Sequence, residues 1–168
     1  MSYLLHPPLL DETGLSEALR WYIQGLMDRN GSSITLDVSE DFGRLSREME
    51  LVMFRLVQEC LTNIHRHSGS KSAEIRMQRE ENAISLEIKD YGKGIAPEKL
   101  AQIQSQGSGV GIRGMRERVR QFGGHMFIES SEAGTEIRFK FAVVPSSDTI
   151  RERTDQPENI VQSVPGAD

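Results

Sequence analysis

Glu59, Asn63 and His67 stand four residues apart in the stretch Leu56-Val-Gln-Glu-Cys-Leu-Thr-Asn-Ile-His-Arg-His67. At about 100° per residue they fan over about 80° of one helix surface. An acid, an amide and an imidazole stacked this way could form one wall of a phosphate site. The same face could equally be plain solvated surface, the usual fate of polar helix positions. Three glycine-bearing segments downstream could supply the other walls. Asp90-x-Gly92-x-Gly94 follows a strand-like run, and a carboxylate beside close-approaching backbone suits an amino-bearing base such as adenine. A tight turn explains the same residues. Gly107-Ser-Gly-Val-Gly111 precedes a helical pattern, and backbone N–H groups at a helix N-terminus suit phosphate oxygens. It lacks the Lys-Ser/Thr ending of a P-loop and the surroundings of a dinucleotide fingerprint, so a linker is the competing reading. Arg113, Arg116 and Arg118 favour an anion there, or serve as surface. Gly134-Thr135 opens a strand and could add a hydroxyl, or be an ordinary turn.

These residues need elements to hold them. Leu15, Ala18, Leu19, Tyr22, Ile23 and Leu26 recur at helical spacing up to the terminator Asn30-Gly31. Met53, Val57, Cys60, Leu61 and Ile64 form the apolar arc of a second helix over residues 47–67, broken by Ser68-Gly69-Ser70. Strands are expected at 34–38, 73–77, 83–88, 126–128 and 135–143 from their alternation, with Glu80-Glu81-Asn82 as a hairpin tip and Ser130 to Gly134 as a second connection. Helices are expected at 97–104, with Pro97 in the first turn, and at 112–122, ending at Gly123-Gly124. Hairpin strands and one-faced helices imply an α+β fold: a two-layer α/β sandwich with a mixed, mostly antiparallel sheet and helices on one face. There is no strand–helix–strand alternation of the sort that builds a doubly wound parallel sheet.

The chain has 168 residues, room for one domain with a sizeable core. Its net charge of −5 gives no footprint for nucleic acid. One cysteine excludes an internal disulfide, and Cys60 lies on the apolar arc, where a buried thiol is expected. No window reaches the ~20 apolar residues of a membrane span, and a cytoplasmic piece is the expectation. Apolar residues at 3–5 with no cap before them read as the end of a longer element. The polar, proline-containing stretch at 145–168 reads as a disordered tail.

Taken together, Glu59…Asn63…His67, Asp90-x-Gly92-x-Gly94, Gly107-x-Gly109-x-Gly111 and Gly134-Thr135 follow the order of the N box and three glycine boxes. The set resembles the ATP-binding domain of sensor histidine kinases and its wider ATPase superfamily, which has a Bergerat-type fold. Phe54-Arg-Leu-Val-Gln-Glu-Cys-Leu-Thr-Asn-Ile-His-Arg-His-Ser68 and Gly111-Ile-Arg-Gly-Met-Arg-Glu-Arg118 look like the nitrate-sensor/degradative-enzyme subfamily of two-component kinases. The likeness covers roughly residues 3 to 143.

The resemblance implies ATP and Mg²⁺ as cofactors, with Asn63 holding the metal and Glu59 acting as base or orienting residue. A hard cation that keeps most of its waters needs few protein oxygens, so one amide and one carboxylate suffice. It places His67 near the phosphates, where a buried cap at the helix end is the competing role. Asp90 would accept from the adenine amino group, with Gly92 and Gly94 beside the base. Gly107, Gly109 and Gly111 would line the phosphates from a lid, and Thr135 would complete the adenine side through water. The family's phosphoacceptor is a histidine followed by Asp or Glu on preceding dimerisation helices. None of His6, His65, His67 and His125 is followed by an acid. The expectation is therefore residues 1–13 as a remnant of the dimerisation helix, 14–144 as the catalytic domain and 145–168 as the tail. Such a chain binds ATP, is itself monomeric and does not label itself. Its parent is a homodimer that passes phosphate to a response regulator. The alternatives are a serine kinase of the anti-sigma switch type and a nucleotide-regulated binding module without catalysis.

Overall fold

Alternation decides the sheet. In the strand Ser72–Glu80, Ala73, Ile75 and Met77 are buried while Ser72, Glu74 and Arg76 face water. Ala83–Asp90 and Gly134–Ala142 repeat the pattern with Ile84, Leu86, Ile88 and with Ile137, Phe139, Phe141. A sheet with one apolar face must be covered on that face, and the helices supply the cover. A computed structural model describes residues 8–106 and 110–143. The expected tail at 145–168 and the lead-in through residue 7 lie outside them.

The elements run α1 (Pro8–Thr13), α2 (Leu15–Asn30), β1 (Ser33–Val38), α3 (Arg47–Asn63), a π turn (Ile64–Ser68), β2 (Ser72–Glu80), β3 (Ala83–Asp90), α4 (Pro97–Gln106), α5 (Val110–Gln121), β4 (His125–Ser131) and β5 (Gly134–Ala142). The sheet order is β1-β2-β3-β5-β4. β2, β3, β5 and β4 pair antiparallel, and β1 lies parallel to β2 at one edge. The expected mixed, mostly antiparallel sheet is what forms. One strand–helix–strand unit, β1–α3–β2, sits inside it, because a parallel neighbour needs a crossover and α3 provides one.

α3 carries much of the core. Val52, Met53, Phe54, Leu56, Val57, Cys60 and Leu61 are all buried, and the Cys60 thiol meets the Met115 sulfur of α5 at 3.7 Å. Ser46 caps the helix, accepting from the Met49 N–H at 3.3 Å. Glu50, only 1% exposed, accepts from Arg44 Nε at 2.8 Å, Arg44 Nη2 at 3.1 Å and the Leu45 N–H at 3.2 Å. That buried carboxylate ties the segment before α3 to the helix with its charge satisfied. α1 joins the same body: Leu10 is fully buried and Asp11 pairs with Arg47 at 2.9 Å.

The helix expected over 47–67 departs from regular geometry at its end. α3 stops at Asn63 and the chain continues through a π turn, closed by Gly69 in the left-handed region at φ 73°. A π turn carries more residues per turn than an α turn, so His67 does not continue the fan set by Glu59 and Asn63.

Phe139 is central to the sheet, fully buried and paired across strands with Leu86 and Met126. Phe139→Ala should destabilise the domain by about 3–5 kcal/mol, read as a lower urea midpoint at unchanged slope.

Candidate functional site

A cavity of about 330 Å³ opens where α3 and its π turn meet the sheet, with α4 and the start of α5 opposite. Glu59, Asn63 and His67 line it from one side, Asp90, Gly94 and Thr135 from the end of the sheet, and Gly111 from α5. Residues of α3, the π turn, β3 and the loop after it, α4, α5 and β5 thus converge. Gly92 is not among its walls. Gly107 and Gly109 lie outside the described residues.

Glu59 and Asn63 are half-buried, one turn apart, while His67 is exposed at the rim rather than buried as a cap. The buried member of the π turn is Ser68, whose hydroxyl accepts from the Ser70 N–H at 2.9 Å. Gly111 packs so closely that a side-chain carbon there would overlap a Glu59 carboxylate oxygen, with Asn63 Nδ2 3.9 Å away. A carboxylate and an amide held together suit a hard cation that draws its remaining ligands from water and phosphate. Among the described residues no group of three His, Cys, Asp or Glu side chains could hold a metal unaided.

Asp90, 5% exposed, lines the cavity from the end of β3. One carboxylate oxygen accepts from the Gly92 N–H at 2.8 Å, an Asx turn that fixes the group. The loop after it is strapped on both sides. The Lys93 N–H donates to the Ser68 carbonyl at 2.9 Å, and the Ile95 N–H donates to Ser130 Oγ at 2.8 Å. The glycines make this possible. A Cβ on Gly92 would overlap the Ser68 carbonyl, one on Gly94 the Ser131 carbonyl, and one on Gly134 the Asp90 carbonyl. Gly92 serves chain-to-chain packing; Gly94, at φ 69°, and Gly134, at φ 129°, also need a positive φ that favours glycine.

Ile88, Ile95, Ile103 and Ile137 add apolar walls to these polar groups, the make-up of a small-molecule site. Cys60 also borders the cavity. Burial first, and the Glu59 charge second, push its thiol well above the ordinary range, which leaves it protonated and unreactive. A larger hollow of about 400 Å³ lies behind the π turn, lined by Tyr22, Leu26, His65 and Lys71 among others. It contains no carboxylate, whereas the 330 Å³ cavity gathers Glu59, Asn63, Asp90 and Thr135.

The sequence reading missed Ser130, Ser68, Arg66 and Lys99. Arg66 and Lys99 are exposed cations that border the cavity without any motif to mark them. Ser130 had a signal. β4 and β5 turn through Glu132 and Ala133 alone, pairing Ser130 with Thr135, whereas a loop starting at Ser130 hides that pairing.

Residues 48–145 match the model of the histidine kinase-, DNA gyrase B- and HSP90-like ATPase family. This chain belongs to that ATPase family. Among curated relatives, the sensor histidine kinase MctS of Rhizobium johnstonii is 31% identical over 88% of this chain and 31% of its own length. The histidine-protein kinase/phosphatase DegS of Bacillus subtilis is 33% identical over 80% of this chain and 35% of its own. The chain therefore spans about a third of those relatives' length. The fold matches the histidine kinase domain of the Erythrobacter litoralis EL346 blue-light activated histidine kinase, with a TM-score of 0.64 and 19% identity over 76% of this chain and 60% of that one.

If packing against Ser68 is what requires Gly92, Gly92→Ala should destabilise this ATPase domain without any nucleotide present, by about 2 kcal/mol or more. Thermal melts and amide shifts at Ser68 report it; a loss seen only as weaker nucleotide binding would contradict the packing role.

Proposed function

We propose that this domain binds Mg-ATP in the 330 Å³ cavity and transfers the γ-phosphoryl group to a histidine on a dimerisation domain, for relay to a response regulator. The observation that carries the reading is one apolar-walled cavity with two sets of polar groups. A fixed carboxylate, Asp90, lines it from the sheet, and Glu59 with Asn63 from α3. Asp90 accepts from an exocyclic amino group of the base, and the isoleucine walls take its faces. Asn63 would hold the metal through its amide oxygen, and Mg²⁺ when bound neutralises phosphate charge. His67, Arg66 and Lys99 add positive charge at the rim. In the transfer, a ring nitrogen of the acceptor imidazole forms a bond to the γ-phosphorus while the bond to the β–γ bridging oxygen breaks and ADP leaves. Glu59 accepts or orients the imidazole proton. Most of the barrier is lowered by positioning and charge neutralisation rather than by covalent participation of the protein. In this reading residues 14–144 are the catalytic unit, residues 1–13 the end of a dimerisation helix and 145–168 a tail, and the domain works in the cytoplasm.

Two substitutions test the two polar groups separately. Asn63→Ala should abolish Mg-dependent ATP binding in calorimetric titration with the fold intact. Asp90→Asn should weaken ATP by about 10–100-fold, the worth of one charged hydrogen bond, and leave tripolyphosphate within about threefold; equal loss for both ligands contradicts base recognition. Supplied in trans with a dimerisation domain bearing the acceptor, the wild-type domain should give an acid-labile phosphohistidine and Asn63→Ala none. An acid-stable phosphoserine on the partner would instead support the serine-kinase alternative.

A further inference from the structure

Ser130, Thr135 and Asp90 form one row across the end of the sheet. Ser130 pairs with Thr135 between β4 and β5. Continuing the β3–β5 register one step beyond Lys89 and Glu136 sets Asp90 opposite Thr135. Asp90 and Thr135 both line the cavity, and Ser130 stands behind Thr135 with its hydroxyl 2.8 Å from Thr135 Oγ1. We infer that Ser130 is a positioning residue that sets purine specificity by directing the Thr135 hydroxyl proton into the cavity.

Counting protons gives the reason. A serine hydroxyl has one proton to give and lone pairs to accept. Ser130 Oγ already accepts from the Ile95 N–H at 2.8 Å. Its own proton has two acceptors in reach, the Gly134 carbonyl at 3.2 Å and Thr135 Oγ1 at 2.8 Å. If Ser130 donates to Gly134, Thr135 must donate to Ser130 and offers the cavity only lone pairs. If Ser130 donates to Thr135, the nearer acceptor, the Thr135 proton is free to point into the cavity.

The two arrangements read different bases. Asp90 can only accept. A 6-aminopurine presents an amino donor beside an unprotonated ring nitrogen, so it needs an acceptor and a donor side by side, directly or through one water. A 2-amino-6-oxopurine presents its amino group beside a protonated ring nitrogen, and so needs two acceptors. Ser130 donating to Thr135 creates the adenine pattern; the reverse creates the guanine pattern. Mismatched hydrogen-bond partners in a closed site discriminate strongly, because a buried polar group is left unpaired.

This rests on the proposed nucleotide site, and the test keeps the two apart. Affinities of wild type, Ser130→Ala, Ser130→Thr and Thr135→Val are measured for ATP, GTP and tripolyphosphate. Wild type should prefer ATP. Ser130→Ala should lower the ATP:GTP affinity ratio by about tenfold or more, leave tripolyphosphate unchanged, and be rescued by Ser130→Thr. Thr135→Val, which keeps shape and removes the hydroxyl, should lower the ratio likewise and covers the case in which Ser130→Ala does not fold. ATP and GTP weakening by the same factor, or a ratio unchanged in Thr135→Val, would overturn the specificity role while leaving the nucleotide site standing. A wild type that binds neither nucleotide would overturn both.

Discussion

At the end of the sheet beside the cavity, Gly92, Gly94 and Gly134 hold their backbones so close to Ser68, Ser131 and Asp90 that a methyl group on any of them would overlap the neighbouring chain. This close approach brings the β3–α4 loop, the π turn and the β4–β5 hairpin together. The Lys93 and Ile95 N–H groups can then reach Ser68 and Ser130, and the Asp90 carboxylate is fixed in the cavity wall. Preorganisation of that kind is what a binding site needs from its scaffold, since a group held before the ligand arrives costs little to order on binding.

α3 answers to two demands at once. Its apolar arc is buried between the sheet and α5, and the opposite edge presents Glu59 and Asn63 to the cavity. Cys60 lies between these faces and serves both, packed on Met115 and bordering the cavity. Its protonated thiol suits that place: a thiolate beside Glu59 would put two negative charges next to the proposed polyphosphate site. The outer face of the sheet, by contrast, is a mix of Glu, Arg and Lys, including the Arg76–Glu87 and Arg138–Glu129 pairs, and needs no cover.

Much of this was legible in the residues because it followed from period and type. The alternation of β2, β3 and β5 and the apolar arc of α3 fixed which faces are buried, and the spacing of Glu59 and Asn63 placed both on the cavity side. Less legible was anything depending on long-range pairing. That β1 runs parallel to β2 is decided by the crossover through α3, not by alternation within β1. The widened turn at Ile64–Ser68 leaves no mark in a periodic pattern. Ser130 was assigned to a connection because turn residues surround it, yet its partner is fixed by a hairpin register visible only once both strands are placed. Ile88 and Ile137 read as core and are, but their outer edges also wall the cavity.

The π turn also bears on how this segment tolerates change in length. It packs an additional residue into a rise that an α turn would cover with fewer. Removing one residue between Asn63 and Gly69 would thus allow the chain to continue as ordinary α-helix into β2, with the buried residues of α3 upstream and the sheet register downstream both kept. What would rotate away is the cavity edge bearing His67 and Ser68, and with Ser68 its packing on Gly92 and its carbonyl acceptor for the Lys93 N–H. The same short segment thus serves both the cavity and the seam that draws the β3–α4 loop against the π turn, so a single deletion there strikes both.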